Sequence, residues 1–193
     1  MSSKNKVKFA KKIIREGMKN PLYKMESYET DKGVSLFFMD NNGEYVSLNY
    51  SGIYSIYRKV NDKYECLYVG ETDYSIYGRI HRWVKGVAGK LRDDESHSGA
   101  TKAREDGITL DDELYVKVID SDTVYMIWKN FTSNLDVATT ISMSCQSIDE
   151  WIAPLLKSKY NTITFEETAS LEDLNFVTTS LMQKKMDLLY RLN

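Results

Sequence analysis

Two tyrosines fourteen residues apart, Tyr54 in Gly52-Ile53-Tyr54 and Tyr68 in Tyr68-Val69-Gly70, are followed eleven residues later by Arg79. A phenol can orient water, and a guanidinium presents a planar fork of N–H donors that fits a phosphate. Hydrolysis of a phosphodiester needs a group that deprotonates or orients water, a divalent cation that takes up charge at phosphorus, and donors that hold the scissile phosphate. Tyr54, Tyr68 and Arg79 could serve such chemistry only if the fold brings them together.

The elements that would position them are legible. Gly52 to Arg58 and Tyr64 to Gly70 are rich in Tyr, Ile and Val and read as paired strands, with Asn61-Asp62 as turn chemistry between them. An odd number of loop residues would place Tyr54 and Tyr68 on one face, because strand side chains alternate with period two. Tyr74 to Gly89 carries Ile76, Ile80, Trp83, Val84 and Val87 at helical spacing. On that helix Arg79 and Arg82 flank one side of the apolar stripe, and His81 falls nearly opposite Arg79, a poor partner for it. Without the tyrosines, Arg79 would read as a surface arginine snorkelling beside the core, and each tyrosine as an ordinary half-buried strand residue.

In their order and context the three residues resemble the signature of the GIY-YIG nuclease family. The resemblance covers about residues 51 to 162. It implies a small antiparallel three-stranded sheet flanked by helices, and cleavage of DNA with a divalent metal, Mg²⁺ or Mn²⁺. Tyr54 would act as general base or orient the water, Tyr68 and Gly70 would support it, and Arg79 would bind the phosphate. The family also places a glutamate, its protein metal ligand, on a later helix, with an asparagine about a dozen residues beyond. Glu150 and Asn161 fit at a separation of eleven, and Asp149 would restore twelve. Glu150 is preferred for its longer reach and Asp149 is the reserve; a capping box starting at Ser147 also accounts for Glu150 without any metal. A single carboxylate suits Mg²⁺, which keeps most of its waters. Where some members carry a histidine four residues after the arginine, this chain has Trp83. His97 is then the histidine that could approach the site.

The remaining segments frame this core. Residues 7 to 18 form an amphipathic helix whose Lys8, Lys11, Lys12, Arg15 and Lys19 gather on one arc, either a solvated face or a phosphate-contacting arm, with Lys8, Lys12 and Arg15 as candidate DNA contacts. Val34 to Met39 and Tyr45 to Leu48, joined by Asn41-Asn42-Gly43, read as a hairpin. Arg92 to Asp112 is a polar excursion with at most a short helix. Leu114 to Ile119 is a third strand of the motif sheet, Val124 to Phe131 is strand or helix, residues 147 to 157 are a helix limited by Pro154, and Leu171 to Leu192 a closing helix. The expected fold is α+β in one compact domain: an extension over 1–50, the core over 51–162 and a helical extension over 163–193.

Composition limits the partners. With 26 basic and 28 acidic residues the chain has no global pull on nucleic acid, so local basic stretches must supply it. Arg79, Arg82, Lys85, Lys90 and Arg92 form one such stretch with no acid among them. Cys66 and Cys145 have no zinc-site spacing and read as reduced thiols. No apolar run reaches the roughly 18 residues of a membrane span, so a cytoplasmic protein without a membrane partner is expected. DNA is the expected partner of a compact restriction-type or phage-type nuclease, and a homodimer would let one site per subunit cut both strands. Two other readings stay open: a catalytically silent nucleic-acid-binding module of the same fold, and a protein-interaction domain.

Overall fold

The computed structural model describes residues 3–92, 95–132 and 148–161. Its centre is an antiparallel sheet of five strands in the order β2-β1-β5-β3-β4, formed by β1 (Leu22–Thr30), β2 (Gly33–Met39), β3 (Gly52–Val60), β4 (Lys63–Thr72) and β5 (Leu114–Asp120). The class is therefore α+β, as expected. The sheet has five strands rather than three because the N-terminal hairpin joins it, β1 pairing with β5 from Leu22↔Lys117 to Met25↔Leu114.

That hairpin differs from the expected one. Gly33–Met39 pairs backwards with β1, and the segment after it touches β2 as a ladder only at Met39↔Tyr45. Asp40 explains the difference: its Oδ1 accepts from Asn42 N and Glu44 N at 2.8 and 3.0 Å, so the chain closes into a local turn instead of extending a ladder.

Helices cover both faces of the sheet. On one face lie α2 (Ile76–Val87) and α3 (Ser98–Glu105). Tyr54, Ile56 and Leu67 pack there with Ile80, Trp83, Ala100 and Ala103. On the other face, α1 (Ser3–Gly17), α4 (Ser121–Thr132) and α5 (Ile148–Ile152) bury Phe9, Ile13, Val124 and Ile152 against Ile53, Tyr57, Val69 and Ile119. Alternate residues of β3 thus serve separate cores, which is why its central run is buried on both sides.

Val124 to Phe131 is helical. Asp120, at the end of β5, accepts from Thr123 N and Thr123 Oγ1, both at 2.8 Å, and so caps α4 directly. The excursion carries one short helix, α3, as expected. Ser147, Cys145 and the segment Leu171 to Leu192 lie outside the described residues. Among the described residues no helix is long and apolar enough to cross a membrane.

Candidate active site

The β3–β4 turn has two residues, Asn61 (φ 49°) and Asp62 (φ 59°), both left-handed as a tight hairpin turn requires. An even loop alone would set Tyr54 and Tyr68 on opposite faces. A bulge restores them to one face: the pairing runs Tyr57↔Cys66 and then Ile56↔Tyr68, leaving Leu67 as the extra residue. Tyr54 lies opposite Gly70, Tyr68 opposite Ile56, and the two tyrosine rings are 6.2 Å apart.

The motif glycines are steric necessities here. A Cβ on Gly70 would sit 2.4 Å from Tyr54 Oη, so only hydrogen lets the Tyr54 ring lie over β4. A Cβ on Gly52 would meet the Ile119 carbonyl oxygen at 2.2 Å, where β3 and β5 close together.

Arg79 enters from α2. Ser75 starts that helix, its Oγ accepting from Gly78 N at 3.0 Å, so Arg79 falls in the first turn beside the end of β4. His81 turns away, as its angle around the helix predicts, with Nε2 2.7 Å from the Val34 carbonyl oxygen and its ring stacked on Tyr77. Trp83 is fully buried core.

Asp149 arrives from the other layer, because the chain after α5 is laced to the free edge of β4. Lys159 N and Tyr160 N donate to the carbonyls of Cys66 and Leu67, and Asn161 bonds both backbone groups of Val69, accepting from its N at 2.8 Å and donating to its O at 2.7 Å. Asn161 is thus a strand-edge clasp. It continues the ladder with a side-chain amide in place of a backbone.

The electrostatics tie these elements together. Tyr54 is fully buried, and burial, reinforced by Tyr68, raises its pKa, while Arg79 acts against the rise and Asp149 with it. Its hydroxyl makes no well-formed hydrogen bond to the described residues. Tyr68 is half-buried and raised by burial and then by Asp149. Burial pushes Asp149 up to about 6, with the Glu150 charge adding to it. Glu71, which sequence reasoning did not single out, is pushed up to about 7 by burial and then by Asp149; its Oε2 is buried without a hydrogen-bond partner among the described residues. The signal available for it was its place directly after Gly70, but strand alternation puts it beside Ile53, on the face away from Tyr54.

Glu150 is exposed, one helical step from Asp149, and reaches the group only through its charge on Glu71 and Asp149. Among the described residues no three His, Cys, Asp or Glu side chains form a metal-ligand cluster. A cation held by the carboxylates present would therefore keep most of its waters, which is Mg²⁺-like behaviour.

His97 and Arg82 are brought to the site; Lys8, Lys12 and Arg15 are not. His97 caps α3 and meets Tyr68 edge-on at 5.0 Å, and both it and Arg82 line a cleft with Arg79. The basic helix α1 lies on the opposite layer, where Lys12 Nζ sits 5.3 Å over the Phe131 ring. No protein-family model, curated protein or solved structure matches the chain.

Proposed function

We propose that this chain is a divalent-metal-dependent DNA endonuclease with a GIY-YIG-type site. The observation that carries the reading is the grouping of Tyr54, Tyr68, Arg79 and Asp149, drawn from a hairpin and two helices on opposite layers, around one end of β4. A core serving stability alone has no reason to gather a buried phenol without a well-formed hydrogen bond, a guanidinium and, counting Glu71, two carboxylates short of compensating charge.

Arg79 holds the scissile phosphate by charge-assisted hydrogen bonds. Tyr54, with its pKa raised, stays a neutral phenol at working pH. It orients the attacking water through its hydroxyl, without standing as a phenolate. Tyr68 packs against Tyr54 and presents its own hydroxyl to the same region. Asp149, with Glu71 behind it, is the cation-holding group, because these carboxyls are half-buried and lack a cationic partner strong enough to hold their pKa values down. Mg²⁺ or Mn²⁺ bound there would draw charge from the phosphate and lower the pKa of a bound water. Asp149 takes this role ahead of Glu150 because it is half-buried with its charge acting on both tyrosines, whereas Glu150 is exposed.

Arg79→Ala and Asp149→Asn are each expected to lower the cleavage rate at least about 100-fold, the usual cost of losing a charge-stabilising group, while Glu150→Gln costs less than about tenfold. Equal loss in Asp149→Asn and Glu150→Gln would return the metal role to Glu150. Undiminished activity in Arg79→Ala would remove the phosphate assignment.

One observation favours a second reading, a nucleic-acid-binding module that does not cut. Tyr54 has no solvent exposure, so water must reach its hydroxyl through a local shift of the groups around it. Salt-sensitive DNA binding with no cleavage in Mg²⁺ or Mn²⁺ would support that reading.

A further inference from the structure

The next three basic side chains after Arg82 along the chain are neutralised internally. Lys85 and Arg92 pair with Glu95 at 3.1 and 3.4 Å, and Lys90 pairs with Glu29 at 3.1 Å. Arg82 and Lys102 form no ion pair with the described residues, and both line a cleft of about 510 Å³ between α2 and α3. Arg79, His97 and the Tyr68 ring line it too, with Glu105 as its one acid among the described residues. Uncompensated cations beside a phosphate-binding arginine are the arrangement that a second anion neutralises.

The walls are held close by small residues. A Cβ on Gly86 would meet Ala100 Cβ at 2.5 Å, and one on Gly99 would meet the Tyr68 ring at 2.8 Å, so α3 is seated directly on both α2 and the motif strand. The His97 ring is fixed within this packing. Its Nδ1 accepts from Ala100 N at 3.3 Å, which leaves the proton of the neutral ring on Nε2. Burial, aided by Arg79, pushes its pKa down to about 4, so the ring is neutral at physiological pH.

We infer that the α2–α3 cleft binds the DNA backbone phosphate adjacent to the one that is cut, with Arg82 and Lys102 supplying charge and His97 Nε2–H a neutral donor. The inference rests on the nuclease reading and adds to it which residues set the strand's path. A neutral donor beside exposed cations adds direction without a further charge to desolvate.

The test is equilibrium binding of a short fluorescent DNA duplex without divalent metal, across a salt series, run beside cleavage of the same duplex in Mg²⁺ by the unaltered protein. Arg82→Ala and Lys102→Ala should each weaken binding about 3- to 10-fold and reduce the slope of log K against log salt by about one. Lys63→Ala, at the start of β4 beside the distant β3–β4 turn, should change neither. His97→Asn retains a helix-capping side chain and should weaken binding without lowering the melting temperature, whereas His97→Ala should lower both. Unaltered affinity and slope in Arg82→Ala and Lys102→Ala, with the parent protein still cutting, would overturn the inference and leave the nuclease reading intact. A parent protein that binds through this cleft without cutting would fail the nuclease reading and, with it, the placement beside a cut phosphate, leaving a DNA-binding cleft only; one that neither binds nor cuts would fail both.

Discussion

Replacing Tyr54 by Phe removes one oxygen from a site where it has no well-formed partner and every other atom is packed. Burying an unsatisfied hydroxyl costs free energy, so Tyr54→Phe should keep the stability of the parent or exceed it by up to about 1 kcal/mol while losing cleavage. Chemical denaturation would measure the first. The carboxylates give a pH signature. Glu71 and Asp149 are raised to about 7 and about 6 from 4.5 and 3.8, so between roughly pH 4 and 7 the folded state holds more protons than the unfolded state. Stability then falls as pH rises through that window. The metal-free protein should melt at a lower temperature at about pH 7.5 than at about pH 5, Asp149→Asn should flatten that fall, and Mg²⁺ should restore stability more at the higher pH. The His97 ring, pushed down to about 4, works the other way over part of this range, so the comparison between proteins decides: the same pH dependence in the parent and in Asp149→Asn would remove the carboxylate pair as the cation-holding group. Tyr54, Tyr68 and Arg79 were legible in the sequence because their types and order are rare together. Glu71 was not, since a carboxylate on the far face of a strand becomes part of a site only through Asp149, more than seventy residues away in sequence.

At the scale of elements, the site depends on two devices of different visibility. The bulge at Leu67 puts Tyr54 and Tyr68 on one face; the sequence predicted the shared face through an odd loop, whereas the turn is even and the extra residue lies inside β4. Bulges carry little local signature when the bulged residue is a buried leucine. The second device is the clasp of Asn161 on Val69. An asparagine at that spacing was noticed as part of the family resemblance, but its work is to hold the chain after α5 on the strand edge and with it Asp149. Asn161→Ala removes both hydrogen bonds to Val69 and the one donated by Ser158 Oγ, and leaves two backbone groups of the buried Val69 unpaired, so a destabilisation of about 2 to 3 kcal/mol is expected, with a fall in cleavage. A loss of activity with unchanged denaturant midpoint would instead assign Asn161 to the chemistry. The hairpin β1–β2 was only half legible, because β1 mixes charged and apolar residues without a clean period and its last three residues are exposed.

For the whole molecule, the two layers separate two basic surfaces. The cleft with Arg79 and Arg82 lies on the α2–α3 side, and the stripe of Lys8, Lys12 and Arg15 lies across the sheet on α1. A duplex in the cleft does not reach that stripe without bending around the protein. Exchanging all three α1 residues for alanine should therefore leave the cleavage rate at saturating DNA unchanged, and shift half-saturation by less than about threefold at moderate salt. A large loss of affinity would show that the DNA contacts both layers. The near balance of basic and acidic residues hid this arrangement in the sequence, because charge separation in space is set by which helix packs on which face. The measurement that bears most directly on the central claim is cleavage of supercoiled plasmid in Mg²⁺ and in Mn²⁺ by the parent protein and by Tyr54→Phe. The expected result is nicked or linear product from the parent, abolished by chelation and absent with Tyr54→Phe; no product with either metal, or equal product from both proteins, would contradict it.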